Sequence, residues 1–250
     1  MPSDIKQPPE VEGAAPPGAR DRESRARAVR EMFTSIAPRY DLLNHLLSLN
    51  VDRLWWNRTA KAFAHILARP DGKVLDLCCG TGDMTRALLK LGARGTKIFG
   101  VDFSHAMLVR ALAKEPRRGW IEADALSLPF PDAQFDLVTS AFGFRNLVDY
   151  DTGLREIGRV LRPGGEAGIL DFSEPNGAFG SLYRIYFQHL LPKLGTLISG
   201  VPGPYQYLPD SVERFPGPNR MLERMRAVGF IKATWIPYTF GIAGLYKLQK

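Results

Sequence analysis

The 250-residue chain predicts an α/β fold, a doubly wound and mostly parallel sheet with helices on both faces. Three observations carry that prediction. From Lys73 onward, short apolar runs alternate with helical patterns. The first run, "VLDLCCGTGD" (Val74 to Asp83), ends in a glycine turn and passes straight into a helix. An acid, Asp102, closes the second run, twenty residues after Gly82.

The elements follow in order. Residues 1–22 are rich in proline, glycine and polar groups, too poor in apolar surface to offset the entropy of ordering, and read as a disordered tail. They contain no apolar core of the kind a signal peptide needs. Residues 23–250 form one domain, opening with a helical cap over 23–70. In "SRARAVREMFTSIA", Val29, Met32, Phe33 and Ile36 recur at helical spacing. "YDLLNHLLSLNVDRLWWNRTAKAFAHILA" continues as one short and one longer helix, after the interruption at Pro38.

The half from 71 to 174 supplies strands "KVLDLCC", "KIFGVD", "GWIEAD", "FDLVTSAF" and "EAGILDF", separated by helices in "MTRALLKLG", "SHAMLVRALAKE" and "DTGLREIGRVL". Arg162-Pro163-Gly164-Gly165 stops the last helix. Residues 175–217 are too long for an ordinary loop, and are aromatic enough to pack as an inserted helix with irregular segments. A helix, "MLERMRAVGF", and a closing hairpin of "KATWIP" and "GIAGLYKLQ" complete residues 218–250.

Cys78 and Cys79 are the chain's two cysteines; adjacent, they make no disulfide framework, and no spacing of His45, His65, His105 and His189 suits zinc. The chain therefore reads as cytoplasmic and metal-free, with the cysteines filling space near a cofactor. No run reaches the roughly 18 apolar residues of a spanning helix, so any membrane contact is peripheral. A formal charge of +7 fits ordinary solubility and anionic surfaces alike.

In a doubly wound sheet the ligand lies at the carboxyl ends of the strands, where strand order reverses. Gly80, Thr81 and Gly82 belong there, and Asp102 is placed to accept both hydroxyls of a ribose. A dinucleotide fingerprint wants a third glycine at position 85, which is threonine, and Asp83 beside a pyrophosphate would be repulsive. S-adenosylmethionine has an ammonium, a sulfonium and no phosphate, and suits Asp76 and Asp83 better. Asp124 and Ala125, just past the third strand, are placed to meet the adenine, and Met107 to pack on the purine.

"YDLLNHLLSLNVDRLWW" (40–56) and "RVLRPGGEAGILDFSEP" (159–175), with "LDLCCGTGD", "LPFPDAQFD" and "FGFRN" between them, resemble the signature segments of the ubiquinone/menaquinone biosynthesis C-methyltransferase family. The likeness runs from about residue 25 to the C-terminus. It implies a class I, Rossmann-like S-adenosylmethionine-dependent methyltransferase with a seven-stranded sheet, which methylates a ring carbon of a polyprenylated benzoquinol or naphthoquinol. By the same resemblance Thr81, Asp102, Asp124 and Ala125 are cofactor contacts, Arg145 and Asn146 face the ring, and Tyr40 closes the pocket.

Three positions depart from the family's usual residues: Asp52 for histidine, Asp171 for glutamate, and Ala141 for a cofactor-lining serine, with Ser140 adjacent. Arg145 is expected to stabilise the phenolate, or to pair with a carboxylate such as Asp149. The base is a water held by Asp124 or Tyr40, or is His45. "LCCGTGD" and "SVERFPG" lean toward the naphthoquinol. "SLYRIYFQHLLPKL" is expected to shield the prenyl tail and touch lipid, or to pack in the core, and the exposed apolar face of the cap to serve a homodimer or a lid. No basic–aromatic patch marks a nucleic-acid substrate. Other phenolic acceptors and a non-catalytic cofactor-binding subunit are the competing readings.

Overall fold

A computed structural model of the chain describes residues 12–41, 48, 50–175, 180 and 204–250. Its centre is a seven-stranded sheet in the order β3-β2-β1-β4-β5-β7-β6. The strands are β1 (Lys73–Leu77), β2 (Lys97–Asp102), β3 (Gly119–Glu122), β4 (Phe135–Ala141), β5 (Leu161–Phe172), β6 (Lys232–Tyr238) and β7 (Ala243–Gln249). Pairing is parallel from β3 through β5, and β7 runs antiparallel to both of its neighbours. β7 is the second strand of the closing hairpin, and wedging it between β5 and β6 gives the sheet its one reversed strand.

Around the sheet lie α1 (Arg22–Ile36), α2 (Val51–Ala62), the short α3 (Ala64–Leu67), α4 (Asp83–Leu89), α5 (His105–Lys114), α6 (Tyr150–Val160), α7 (Pro204–Arg214) and α8 (Pro218–Ala227). Two apolar cores fill the faces. Leu75, Leu77, Leu154, Ile157 and Met225 belong to one, and Trp55, Phe63, Val74, Leu88 and Leu245 to the other. Because β1 is buried on both sides, its sequence is a continuous apolar run broken by a single acid.

Each sequence-derived strand is present, and the differences are local. β5 begins at Leu161 rather than at Glu166. Leu161 pairs with Phe135 and Glu166 with Leu137, so the intervening Arg-Pro-Gly-Gly segment loops out as an irregularity, with Gly164 at φ +75°. Of the segment 175–217, α7 is described and "SLYRIYFQHLLPKL" lies outside the described residues, as do residues 1–11 and His45. Residues 12–16, within the stretch that composition assigns to a tail, lie against the body. Ala14 N–H donates to the Leu147 carbonyl at 2.7 Å and Tyr150 N–H to the Glu12 carbonyl at 3.1 Å. Gly13 abuts the Val148 backbone too closely for any side chain, and the Glu12 carboxylate pairs with Arg220 and Arg224. These partners are remote in sequence, so local composition carries no sign of them.

Strand order reverses between β1 and β4. Connections leave their carboxyl ends in opposite directions, which opens a crevice there.

Candidate functional site

The crevice is a cavity whose floor comes from the ends of β1, β2 and β4 and whose roof comes from α1. Leu77, Cys78 and Gly80 line it from β1, Asp102 and Phe103 from β2, and Ala141, Phe142 and Gly143 from β4. Arg30, Phe33 and Tyr40 close it from above. A smaller cavity adjoins it, shares Tyr40, Gly80 and Phe142, and adds Asp76, Thr81 and Asp83.

The backbone is unusual at two of these strand ends. Cys78 and Phe142 sit at φ +53° and +60°, left-handed values that non-glycine residues rarely adopt and that cluster at functional sites. Gly143 packs on the Cys78 side chain, with no room for a Cβ. The β1 and β4 turns are thus locked together, and the cysteines fill space. Burial pushes both thiols well above their usual range, so neither is a ready nucleophile.

Asp102 is the best-defined polar group. Gly80 N–H donates to its Oδ2 at 2.8 Å and Ser104 N–H to its Oδ1 at 2.9 Å, leaving further lone pairs on each oxygen for the cavity. Burial raises its carboxyl to about 6, against those two bonds. Asp76 is wholly buried and raised by burial to about 7, although the Thr85 and Thr139 hydroxyls donate to it at 2.5 and 2.9 Å. Asp124 accepts from Leu126 N–H at 2.9 Å and lines the main cavity beside Ala125 and Met107.

The glycines differ. A Cβ on Gly80 would meet nothing within 4 Å, so the loop faces open space there. Gly82 is the left-handed residue before α4, and a Cβ would lie 2.7 Å from the Trp120 ring. It serves the turn and the packing and does not line the cavity. Thr81 lines the smaller cavity, with its hydroxyl donating to Asp41 at 2.5 Å. Asp83 is the first residue of α4 and caps nothing; the ammonium beside it is that of Lys114, at 3.1 Å.

The three residues expected to face a ring are placed differently from one another. Tyr40 and Asn146 line the cavity. The Asn146 amide nitrogen faces the Phe142 carbonyl at 3.4 Å, while its buried Oδ1 has no partner among the described residues. Arg145 does not line the cavity. Its guanidinium is buried and forms an ion pair at 2.8 Å with fully buried Asp171; it also donates to the Phe142 carbonyl at 2.5 Å and to Ser211 on α7 at 3.3 Å. A buried cation has to be paired, and the partner is Asp171 rather than Asp149, which caps α6 and lies 3.7 Å from Arg22. Ser140 is buried without lining either cavity; its neighbour Ala141 does, so the missing serine is not replaced by the adjacent one. Sequence reasoning missed Arg30, Phe33 and Phe103 as lining residues. Phe103, next to Asp102, was within reach of the spacing argument; the α1 residues became lining only when the helix folded over the sheet.

The arrangement suits a nucleoside carrying an amino-acid end. It has a carboxylate with free lone pairs at Asp102, apolar surface at Phe103 and Met107, and an acidic recess at Asp76 and Asp83. The Asn146 oxygen is an unpartnered acceptor on the β4 side of the cavity, among the described residues.

Residues 20–250 match the model of the ubiE/COQ5 methyltransferase family. A demethylmenaquinone methyltransferase of Deinococcus radiodurans is 50% identical over 235 residues, 92% of this chain and 95% of that one. Another of that name, from Thermus thermophilus, is 50% identical over 86% of this chain and 98% of its own. A ubiquinone/menaquinone biosynthesis C-methyltransferase of Geobacter sulfurreducens is 44% identical over 89% and 88%. Among solved structures, an S-adenosylmethionine-dependent methyltransferase of Thermotoga maritima superposes with a TM-score of 0.62 at 18% identity, over 88% of this chain and 99% of that one. The [4+2]-cyclase SpnF reaches 0.64 at 17%, over 96% and 98%. At those identities the likeness is one of fold, and the cyclase shows that the fold alone names no reaction.

Proposed function

We propose, from the premise that this chain belongs to the ubiE/COQ5 methyltransferase family, that it methylates a ring carbon of a polyprenylated quinol, the demethylnaphthoquinol of menaquinone biosynthesis before its benzoquinol counterpart. The observation that carries this reading is the pairing of two acceptors across one cavity: the Asp102 carboxylate, with lone pairs beyond its two backbone bonds, on the donor side and the unpartnered Asn146 oxygen on the other.

S-adenosylmethionine supplies the methyl group, activated on a sulfonium. Asp102 accepts from the ribose hydroxyls, Asp124 and Ala125 take the adenine edge, and the recess of Asp76 receives the amino-acid end. Phe142 and Tyr40 offer flat apolar surface to a quinol ring, continued by Phe172, whose ring lies 4.6 Å from that of Phe142. Asn146 Oδ1 accepts from the ring hydroxyl next to the carbon to be methylated. When that hydroxyl loses its proton, through a water held by Asp124 or Tyr40, negative charge reaches the ortho carbon. A new C–C bond then forms as the C–S bond breaks, and the ring carbon loses its proton to restore aromaticity. Arg145, tied to Asp171, holds the Phe142 carbonyl and the turn that carries Asn146; in this reading it positions rather than touches the ring.

An acceptor with a prenyl tail resides in lipid, so the enzyme meets it at a membrane surface. Among the described residues no helix is long and apolar enough to cross a membrane. The reading is tested with isotopically labelled methyl donor and three acceptors: demethylmenaquinol, its benzoquinol analogue and an unrelated phenol. Label on the naphthoquinol ring carbon is expected; equal labelling of the unrelated phenol, or none of either quinol, overturns it.

A further inference from the structure

Beneath the roof of the cavity lies a polar cluster that the mechanism above does not use. The Lys114 ammonium, in the last turn of α5, lies 2.7 Å from Asp41, 2.9 Å from the Thr81 hydroxyl and 3.1 Å from Asp83. These are three acceptors for its three N–H donors. The partners come from three elements: Asp41 directly follows the roof residue Tyr40, Thr81 belongs to the glycine loop, and Asp83 starts α4.

The proton arrangement follows from the distances. The Thr81 hydroxyl has one proton and lies 2.5 Å from Asp41 but 3.4 Å from Asp83, so it donates to Asp41 and accepts from Lys114. Two carboxylates therefore meet on one hydroxyl, and the cation between them holds the group together. Without it, Asp41 and Asp83 repel each other in partial burial, with side chains 29% and 14% exposed. Asp41 is the member of the cluster carried by the N-terminal segment.

Other ties also join the roof to the donor loops, and Ile36 and Ala37 pack on Met107. Thr34 and Ser104 hydroxyls lie 3.3 Å apart, and the Arg30 guanidinium stands 5.4 Å over the Phe103 ring. We propose that Lys114 is a positioning residue for methyl transfer, a latch that seats Tyr40 over the donor cavity by clamping Asp41 to the glycine loop. The inference rests on the methyl-donor reading of that cavity. A donor enters and its demethylated product leaves past this roof, so the lifetime of the latch sets the residence time of both.

The test uses the full chain and S-adenosylmethionine, with affinity by calorimetry, dissociation by stopped flow and a single-turnover rate at saturating donor. Lys114→Met is expected to raise donor dissociation rate and KM by about tenfold, equivalent to about 1.4 kcal/mol, while the saturated single-turnover rate changes by less than about threefold. Lys114→Arg, which keeps the charge, restores most of the loss, and Lys90→Met, an exposed cation elsewhere, leaves donor binding as it was. Asp41→Asn loosens binding similarly, and the Lys114→Met/Asp41→Asn pair is no worse than Lys114→Met alone, since both act on one contact. If Lys114→Met does not fold, Asp41→Asn carries the test by itself. Wild-type protein that binds no donor removes the methyl-donor reading and the latch with it. Wild-type that binds, with variants whose dissociation is unchanged or whose effects multiply, removes the latch alone.

Discussion

In the proposed reading, the donor side and the acceptor side of the cavity are built on different plans. On the donor side, Asp102 is held by backbone N–H groups of Gly80 and Ser104, and Asp124 by that of Leu126, all within loops that leave adjacent parallel strands. On the acceptor side, Asn146 sits on a turn whose shape depends on a buried ion pair between Arg145 and Asp171, on Ser211 from α7 and on the left-handed Phe142. The first plan fixes a ligand through short chain segments and costs little beyond burial of a carboxylate. The second spends charge burial to hold one side chain in place. Donor affinity should thus tolerate damage to the acceptor side, whereas the acceptor side should fail as a unit.

The sharpest way to break this contrast is at Arg145. Arg145→Ala leaves Asp171, with no exposed surface, as an uncompensated buried charge, and is expected to cost about 3–5 kcal/mol in a denaturant titration. A loss under about 1 kcal/mol would mean that the pair does not hold the turn. Turnover falls with it, and donor affinity falls much less.

Next in size is Asn146→Ala. Removing an acceptor for a developing phenolate's hydroxyl is expected to lower kcat by about 10- to 100-fold, about 1.5–3 kcal/mol, with donor affinity within about threefold of wild type. Steady-state kinetics beside calorimetry separate the two. Equal losses in both would erase the distinction between the two sides.

The smallest effect is a pH dependence that sharpens the donor side. Asp102 and Asp76 are raised to about 6 and about 7, and both must ionise to accept from hydroxyls and to face an ammonium. Donor affinity should therefore fall as pH drops through 7 and then 6, by about tenfold per unit for each proton taken up. Asp102→Asn removes the part centred near 6 and keeps the other part, moved lower because the Asp102 charge helps to raise Asp76. Stability of the free protein runs the other way. The folded state holds these protons more tightly than the unfolded chain, so the contribution is full below the unfolded value of about 3.9 and is lost as pH rises through the folded values. Affinity and stability moving together with pH would contradict this assignment of both acids.

Much of this was legible in the letters. The alternation from Lys73 onward marked every strand, because β1 and β4 are buried on both faces and β7 pairs locally with β6. Asp102, Asp124 and Ala125 are within reach because Asp102 ends β2 and the other two lie within three residues of the end of β3. Arg145 was read as facing a ring, since a cation in a loop says nothing about which remote carboxylate will claim it. Residues 12–16 were read as a tail because their partners, Leu147, Tyr150 and Arg224, lie more than a hundred positions away.

The sequence by itself determined the sheet and the donor loop, which rest on periodicity, glycine geometry and short-range spacing, while its signature segments carry the resemblance to the family. Only the tertiary structure decided that α1 roofs the cavity, that Asp171 rather than Asp149 holds Arg145, and that Lys114 joins Asp41 to Thr81. The first buries apolar side chains, and the other two pair charges wholly or partly removed from water. Burial belongs to the packed chain as a whole, and no local stretch specifies which acid will be brought beside which base.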